Sequence, residues 1–340
     1  MITENSTILI IKYSSLGDII NAIPAVRFLR SEAPGTKIYW LVKKPYASLI
    51  SGNNFIDGVI VFDISFETIK EIRKLKPDIA IDLQGLLKSG FTSYLSGAPE
   101  RICYPHTREG SSIFYTKIIG MKRHRIHAVM ENLSVIETFL NKKCNTIDFS
   151  PEISEEALQK AKKLIGINNA RPVILISPTS RWKTKMWEWK RFAELADKLN
   201  ERLNASIIFI GAPNEAAYIE TIKNSMKNNA VNLAGKTDVT TLAAVIKQAD
   251  MLISCDSGSM HIASAVGTSV AAIFGPTDPV HTGPFSDKSI VLKADIPCAP
   301  CRKRTCKTML CMNALHPEKI FEQINVFLKN YDPLKKKTDT

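Results

Sequence analysis

The chain has 340 residues, 45% of them hydrophobic, and a formal net charge of +12. That length exceeds the ~250–300 residues at which single cores stop growing, so two domains are expected. No apolar run reaches the ~18 residues of a membrane-spanning helix. The start Met1-Ile2-Thr3-Glu4-Asn5-Ser6 lacks the basic region and cleavage site of a signal peptide. A cytoplasmic location is therefore expected.

The first strand-like run, Ile8-Leu9-Ile10-Ile11, ends in a polar turn holding Lys12, Ser14, Ser15, Gly17 and Asp18. The turn is neither Gly-x-Gly-x-x-Gly nor a Walker loop, which argues against nicotinamide enzymes and P-loop kinases. Asp18 has two readings, an N-cap for the following helix or a carboxylate acting as general base. Helical spacing runs from Ile19 to Ser31. Strand patterns follow at Lys37–Val42 and Gly58–Phe62, a helix at 66–76, and a strand at Asp78–Leu83 that breaks at Gln84-Gly85. Alternating strands and helices of this kind predict βα units on a parallel sheet.

The basic segment Lys117–Arg125 has interleaved apolar residues. It reads either as a solvated face or as a surface that meets membrane or substrate. Periodicity lapses near 141–170, around Pro151 and Gly166-Ile167-Asn168-Asn169, which marks a linker. A second βα series then starts, with strands at Val173–Ile176 and Ser206–Ile210, and helices at Trp189–Leu203, Glu215–Lys227 and 239–248. Two doubly wound parallel-sheet domains facing a cleft are expected: 1–155, 156–315, and a C-terminal helix with basic tail at 316–340.

The strongest chemical signal lies between two strand patterns in the second half. Asp250-Met251-Leu252-Ile253 leads through Ser254 and Cys255 into Asp256-Ser257-Gly258, and a helix pattern begins around His261. The unpaired N–H groups and positive dipole end of a helix start bind phosphate readily. A neighbouring strand, Ser269–Phe274, stops at Gly275-Pro276-Thr277-Asp278-Pro279. The strand at Val173–Ile176 runs into Pro178-Thr179-Ser180-Arg181-Trp182-Lys183-Thr184-Lys185, whose hydroxyls and cations suit phosphate oxygens. A solvated basic loop is the plainer reading. Glu215 is either a ribose contact or a helix-start residue, and His261 either a phosphate or Asp256 partner or a core histidine. Together these features point to a nucleotide-diphosphate pocket.

Cys298, Cys301, Cys306 and Cys311 form a C-x2-C-x4-C-x4-C cluster. Its spacing departs from paired zinc hooks, and neighbouring Arg and Lys would acidify the thiols. Structural or redox-labile thiols are expected, with a metal as the alternative. The positive charge suits a phosphorylated substrate or anionic membrane. No zinc-finger, homeodomain or RNP signature accompanies it, so no nucleic-acid partner is expected.

With these residues assembled, nearly the whole chain, roughly 7–330, resembles the lipopolysaccharide heptosyltransferases of glycosyltransferase family nine, which have the GT-B fold. The likeness rests on Lys12-Tyr13-Ser14-Ser15-Leu16-Gly17-Asp18, on Asp82-Leu83-Gln84-Gly85-Leu86-Leu87-Lys88-Ser89, and on Thr179-Ser180-Arg181 with Lys185 and Trp187. It rests equally on Asp256-Ser257-Gly258 with His261, and on Phe274–Pro279. The resemblance implies inverting transfer of L-glycero-D-manno-heptose from ADP-heptose to the lipid A inner core, with no metal or other cofactor required. It implies Asp18 as catalytic base and Lys185 at the donor diphosphate. Thr179, Ser180, Glu215, Asp256, Ser257, Gly258 and His261 would bind donor, and Lys12, Ser14, Ser15 and Gln84 acceptor. The anionic acceptor implies work at the inner face of the cytoplasmic membrane, where Arg101, Arg108, Lys122 and Arg123 could meet its phosphates. Ser257 stands where threonine is commoner. The donor loop lacks the Gly-Pro-Ala-Lys pattern of the second heptosyltransferase and is closer to the first or third. Another sugar nucleotide, a GT-B sugar-nucleotide epimerase, and a non-enzymatic basic scaffold for anionic lipid are the alternatives.

Overall fold

The structure is a computed structural model that describes residues 5–63, 65–122, 125–166 and 172–330. Arg123, the linker residues 167–169 and the basic tail at 335–337 lie outside the described residues. The chain forms two compact units that divide between Glu152 and Ile153.

In the first unit the strands are β1 (Thr7–Ile11), β2 (Lys37–Val42), β3 (Gly58–Val61), β4 (Ile79–Asp82), β5 (Glu100–Cys103) and β6 (Lys117–Ile118). They form one sheet in the order β3-β2-β1-β4-β5-β6, and every pairing is parallel. Ile8–Ile11 and Ile79–Asp82 are fully or almost fully buried, as central strands covered on both faces must be. The pattern that predicted one helix from Ile19 yields two, Leu16–Ile20 and Ile23–Glu32. Pro24 starts the second, because it cannot sit inside a longer helix.

The second unit repeats the plan. Strands β7 (Val173–Ser177), β8 (Ser206–Phe209), β9 (Val231–Asn232), β10 (Met251–Cys255), β11 (Ser269–Phe274) and β12 (Ser289–Lys293) pair in the order β12-β11-β10-β7-β8-β9, all parallel. The expected lapse after 141 contains one more helix, Glu155–Ile165, N-capped by Ser154. It buries only Ala157 and Ala161, so its apolar signal is faint. The last helix, Pro317–Asn330, packs on the helix Trp189–Leu203 and so belongs to the second unit. Glu318 pairs there with Lys198 at 2.7 Å and Arg202 at 2.5 Å.

The order of strand addition reverses once in each sheet, between β1 and β4 and between β7 and β10. A crevice opens at such a switch point because the flanking helices depart to opposite faces. The turns singled out in the sequence follow these strands.

Candidate functional site

In the first unit, the β1 and β4 turns are tied together. Gln84 Oε1 accepts the N–H groups of Tyr13 at 3.2 Å and Ser14 at 3.3 Å. Lys12 is buried and donates to the Leu83 carbonyl. Asp82, which the sequence reading used only as part of a motif, organises the turn. Its Oδ1 accepts the N–H groups of Gln84 at 2.7 Å and Gly85 at 3.0 Å, and Tyr115 Oη donates to its Oδ2 at 2.7 Å. Burial drives the Asp82 pKa upward against the opposing pull of Tyr115, Ser89 and the two backbone donors. Gly85 takes a φ of +65°, and a Cβ there would lie 2.8 Å from Tyr104 Oη. Only glycine fits this crossing.

Asp18 sits at the third position of the helix that follows Ser15. Its Oδ2 accepts the Ser15 N–H at 2.9 Å and the Ser15 hydroxyl at 2.7 Å. Asp18 is thus not the N-cap expected of a helix starting at Ile19: the helix begins at Leu16 with Ser15 as its N-cap, and Asp18 reaches back to Ser15 from within the first turn, its carboxylate exposed. A capped, solvent-facing carboxylate at a switch point is held in one orientation, which a positioned base requires.

In the second unit, Asp256 is the hub. It is 7% exposed at its side chain, pairs with Lys185 Nζ at 2.8 Å, and accepts from Thr277 Oγ1 at 2.6 Å. The Asp256 carbonyl accepts from Ser180 Oγ at 2.8 Å, and Thr179 is buried beside it in sequence. The loops after β7, β10 and β11 thus converge, as the sequence reading expected. The helix Gly258–Val266 begins at Ser257, whose hydroxyl does not cap it. Instead that hydroxyl joins a chain running through Ser254 at 2.9 Å and Ser259 at 2.8 Å, with Ser259 donating to Ser177 at 2.8 Å. The helix start is left open to an anion. His261 is buried one turn in. Cys255, next to Asp256, has its thiol pushed up to about 12 by burial.

Glu215 stands one strand over, past β8. Its Oε2 accepts the Ala212 N–H at 2.7 Å, so it caps the short turn at Pro213–Glu215. Sequence reasoning missed three partners of the site. Besides Thr277, the Trp182 ring carries Lys185 Nζ at 4.6 Å and the Arg304 guanidinium at 4.8 Å. The cysteine segment reaches the site through backbone: Thr184 Oγ1 donates to Lys303 O at 2.9 Å, and Arg302 N to Pro276 O at 2.7 Å. Cys298, Cys301 and Cys306 are exposed and Cys311 is buried. Among the described residues no three His, Cys, Asp or Glu side chains gather as a metal site. The Cys306 thiol is lowered, first by the Met309 N–H that it accepts.

Two parallel sheets of Rossmann order, each with its polar turns at the switch point, make up the plan of the GT-B fold. Residues 66–311 match the family described as glycosyltransferase family 9 (heptosyltransferase), and the chain belongs to that family. It is 26% identical over 356 residues to lipopolysaccharide heptosyltransferase 1 of Pseudomonas aeruginosa, covering 94% of this chain and 98% of that one. Its fold matches a glycosyl transferase family 9 structure from Veillonella parvula with a TM-score of 0.83, at 24% identity, over 96% of this chain and 97% of that one. It also matches the ADP-heptose lps heptosyltransferase II of E. coli with a TM-score of 0.81, at 20% identity, over 96% and 99% of the two chains.

Proposed function

We propose that this glycosyltransferase moves L-glycero-D-manno-heptose from ADP-heptose to the lipopolysaccharide inner core, with inversion at the anomeric carbon. The observation that carries the donor half is the Lys185–Asp256 pair, 2.8 Å apart, beside the uncapped start of the helix Gly258–Val266. An ADP diphosphate seated there meets a fixed ammonium and backbone N–H groups, which oppose the charge that gathers on departing ADP. In this reading Lys185 and the helix start do the work a divalent cation does elsewhere, so no metal is needed. Glu215 serves the ribose, and Thr179, Ser180, Ser257 and His261 shape the pocket. The names of the relatives, a lipopolysaccharide heptosyltransferase and an ADP-heptose enzyme, support the same donor and acceptor.

On the acceptor side Asp18 takes the proton of the attacking hydroxyl as the new bond forms. Lys12, Ser14, Ser15 and Gln84 build the turn that holds Asp18, and the acceptor binds against it. The enzyme works in the cytoplasm at the inner face of the membrane. Among the described residues no helix is long and apolar enough to cross a membrane. The test is transfer from ADP-heptose to a panel of truncated lipid A–core acceptors, read by mass spectrometry with and without EDTA. Addition of one heptose to one acceptor, insensitive to EDTA, is expected. Binding of ADP-heptose with no transfer to any acceptor would refute the acceptor, and transfer of a different sugar would refute the donor.

A further inference from the structure

The helix Leu87–Leu95 is built inside out. Its buried positions are Ser89, Gly90, Thr92 and Ser93, while Leu87, Phe91 and Tyr94 are exposed. Their spacing of four and three residues places these three apolar side chains on one face. A helix on a water-facing surface normally shows the opposite arrangement. The small buried face has a cause, since a Cβ at Gly90 would come within 3.0 Å of Phe114 and of Tyr115 Oη.

The neighbouring turn Ser111–Phe114 extends the patch. Phe114 lies 5.7 Å from the Phe91 ring and 6.1 Å from the Tyr94 ring, and adjoining Ile113 is 78% exposed. Contiguous apolar exposure of this kind marks an interaction surface rather than scatter.

Cations frame it. Arg101 lies 5.7 Å above the Tyr94 ring and Arg108 is exposed on the segment leading to Ile113, while Lys88 Nζ lies 4.5 Å over the Phe62 ring and Lys117 pairs with Glu100 at 2.7 Å. Between Leu87 and Arg125 there are seven Lys and Arg against two Glu. A second copy of the chain seated on this face through a two-fold axis would oppose these charges to themselves. An anionic lipid surface pairs with the charge and accepts the aromatic and aliphatic side chains together.

We propose that the exposed face of Leu87–Leu95, with Ile113, docks on an anionic phospholipid surface. Phe91, Tyr94 and Ile113 enter the headgroup boundary, and Arg101 and Arg108 meet lipid phosphates. The helix starts two residues after Gly85, beside the turn that Gln84 and Asp82 build. Docking here brings a lipid-borne acceptor to that turn, and in this respect the inference rests on the function proposed above.

The experiment is flotation of the full chain with phosphatidylcholine vesicles and with vesicles that also contain phosphatidylglycerol. Binding to the anionic vesicles alone, weakening with salt, is expected. The double substitution Phe91→Ser with Ile113→Ser should lower the partition coefficient at least tenfold and leave the urea midpoint nearly unchanged. If that variant does not fold, Ile113→Ser alone carries the test at several-fold. Transfer to a vesicle-borne acceptor should fall in step, while transfer to a deacylated, water-soluble acceptor persists. Equal partition of variant and parent would overturn the inference. So would absence of vesicle binding, or a dimer in sedimentation equilibrium that the substitutions dissolve. A chain that floats but transfers no heptose to the soluble acceptor keeps the surface and loses the proposed reaction.

Discussion

Lys185→Met removes one half of the most buried ion pair in the second unit's site. At 2.8 Å the pair's attraction is about 6 kcal/mol in an effective dielectric of ~20, most of it offset by the desolvation of both groups. What the substitution exposes is the remaining imbalance. Asp256, 7% exposed, then keeps the Thr277 hydroxyl as its neutral donor and no longer has the Lys185 ammonium beside it. Removing one partner from a buried pair costs about 3–5 kcal/mol. The Lys185 side chain is 16% exposed, so water repays part of this and about 2–3 kcal/mol is expected. Urea unfolding at neutral pH measures it. Adding Asp256→Asn should restore most of the stability, because neither charge is then orphaned, while ADP binding by calorimetry stays lost. Unchanged stability and unchanged ADP affinity in Lys185→Met would refute the reasoning.

Asp82→Asn tests the first unit's turn. The folded-state pKa of Asp82 is raised, so its contribution to stability is full below the ordinary carboxylate pKa and declines as pH rises through the raised value. Asparagine has no such loss, so the urea midpoint of the variant should gain on the parent as pH increases above about 4; a pH-independent difference would contradict this. Cys306 is exposed and its pKa lowered, so iodoacetamide at neutral pH should modify it ahead of Cys298 and Cys301, and spare buried Cys255. Peptide mass spectrometry reads the order. Gly85→Ala forces a side chain into a left-handed backbone and against Tyr104, and should cost about 1–2 kcal/mol or more in urea unfolding.

Much of this was legible because parallel strands buried on both faces read as plain apolar runs. Ile8–Ile11, Val173–Ile176 and Ser269–Phe274 announce themselves that way, and the polar turns that follow them are visible by contrast. Strands β5 and β6 were not read. Glu100-Arg101-Ile102-Cys103 and Lys117-Ile118 are short, charged and near the sheet edge, where alternation has no room to repeat. The helix Leu87–Leu95 escaped for the opposite reason, since its apolar residues face outward. Asp256 and Lys185 could be placed from the strand ends that carry them. Thr277, Trp182 and Arg304 lie in segments the sequence singled out, but their contacts with Asp256 and Lys185 are made by tertiary packing, which spacing along the chain does not reveal. Asp18 was legible only as two readings, N-cap or base; Ser15 takes the N-cap position, because the helix starts three residues earlier than its apolar spacing announced, and Asp18 accepts from Ser15 within the first turn.

Asp18→Asn separates those readings, because an asparagine oxygen can still accept the Ser15 N–H but cannot take up a proton as a carboxylate does. The measurement is the steady-state rate of heptose transfer from ADP-heptose to a lipid A–core acceptor, with ADP affinity measured alongside. The account predicts a loss of about 100-fold or more in kcat, with ADP affinity and urea midpoint close to those of the parent. Near-normal transfer by a well-folded Asp18→Asn enzyme would contradict it.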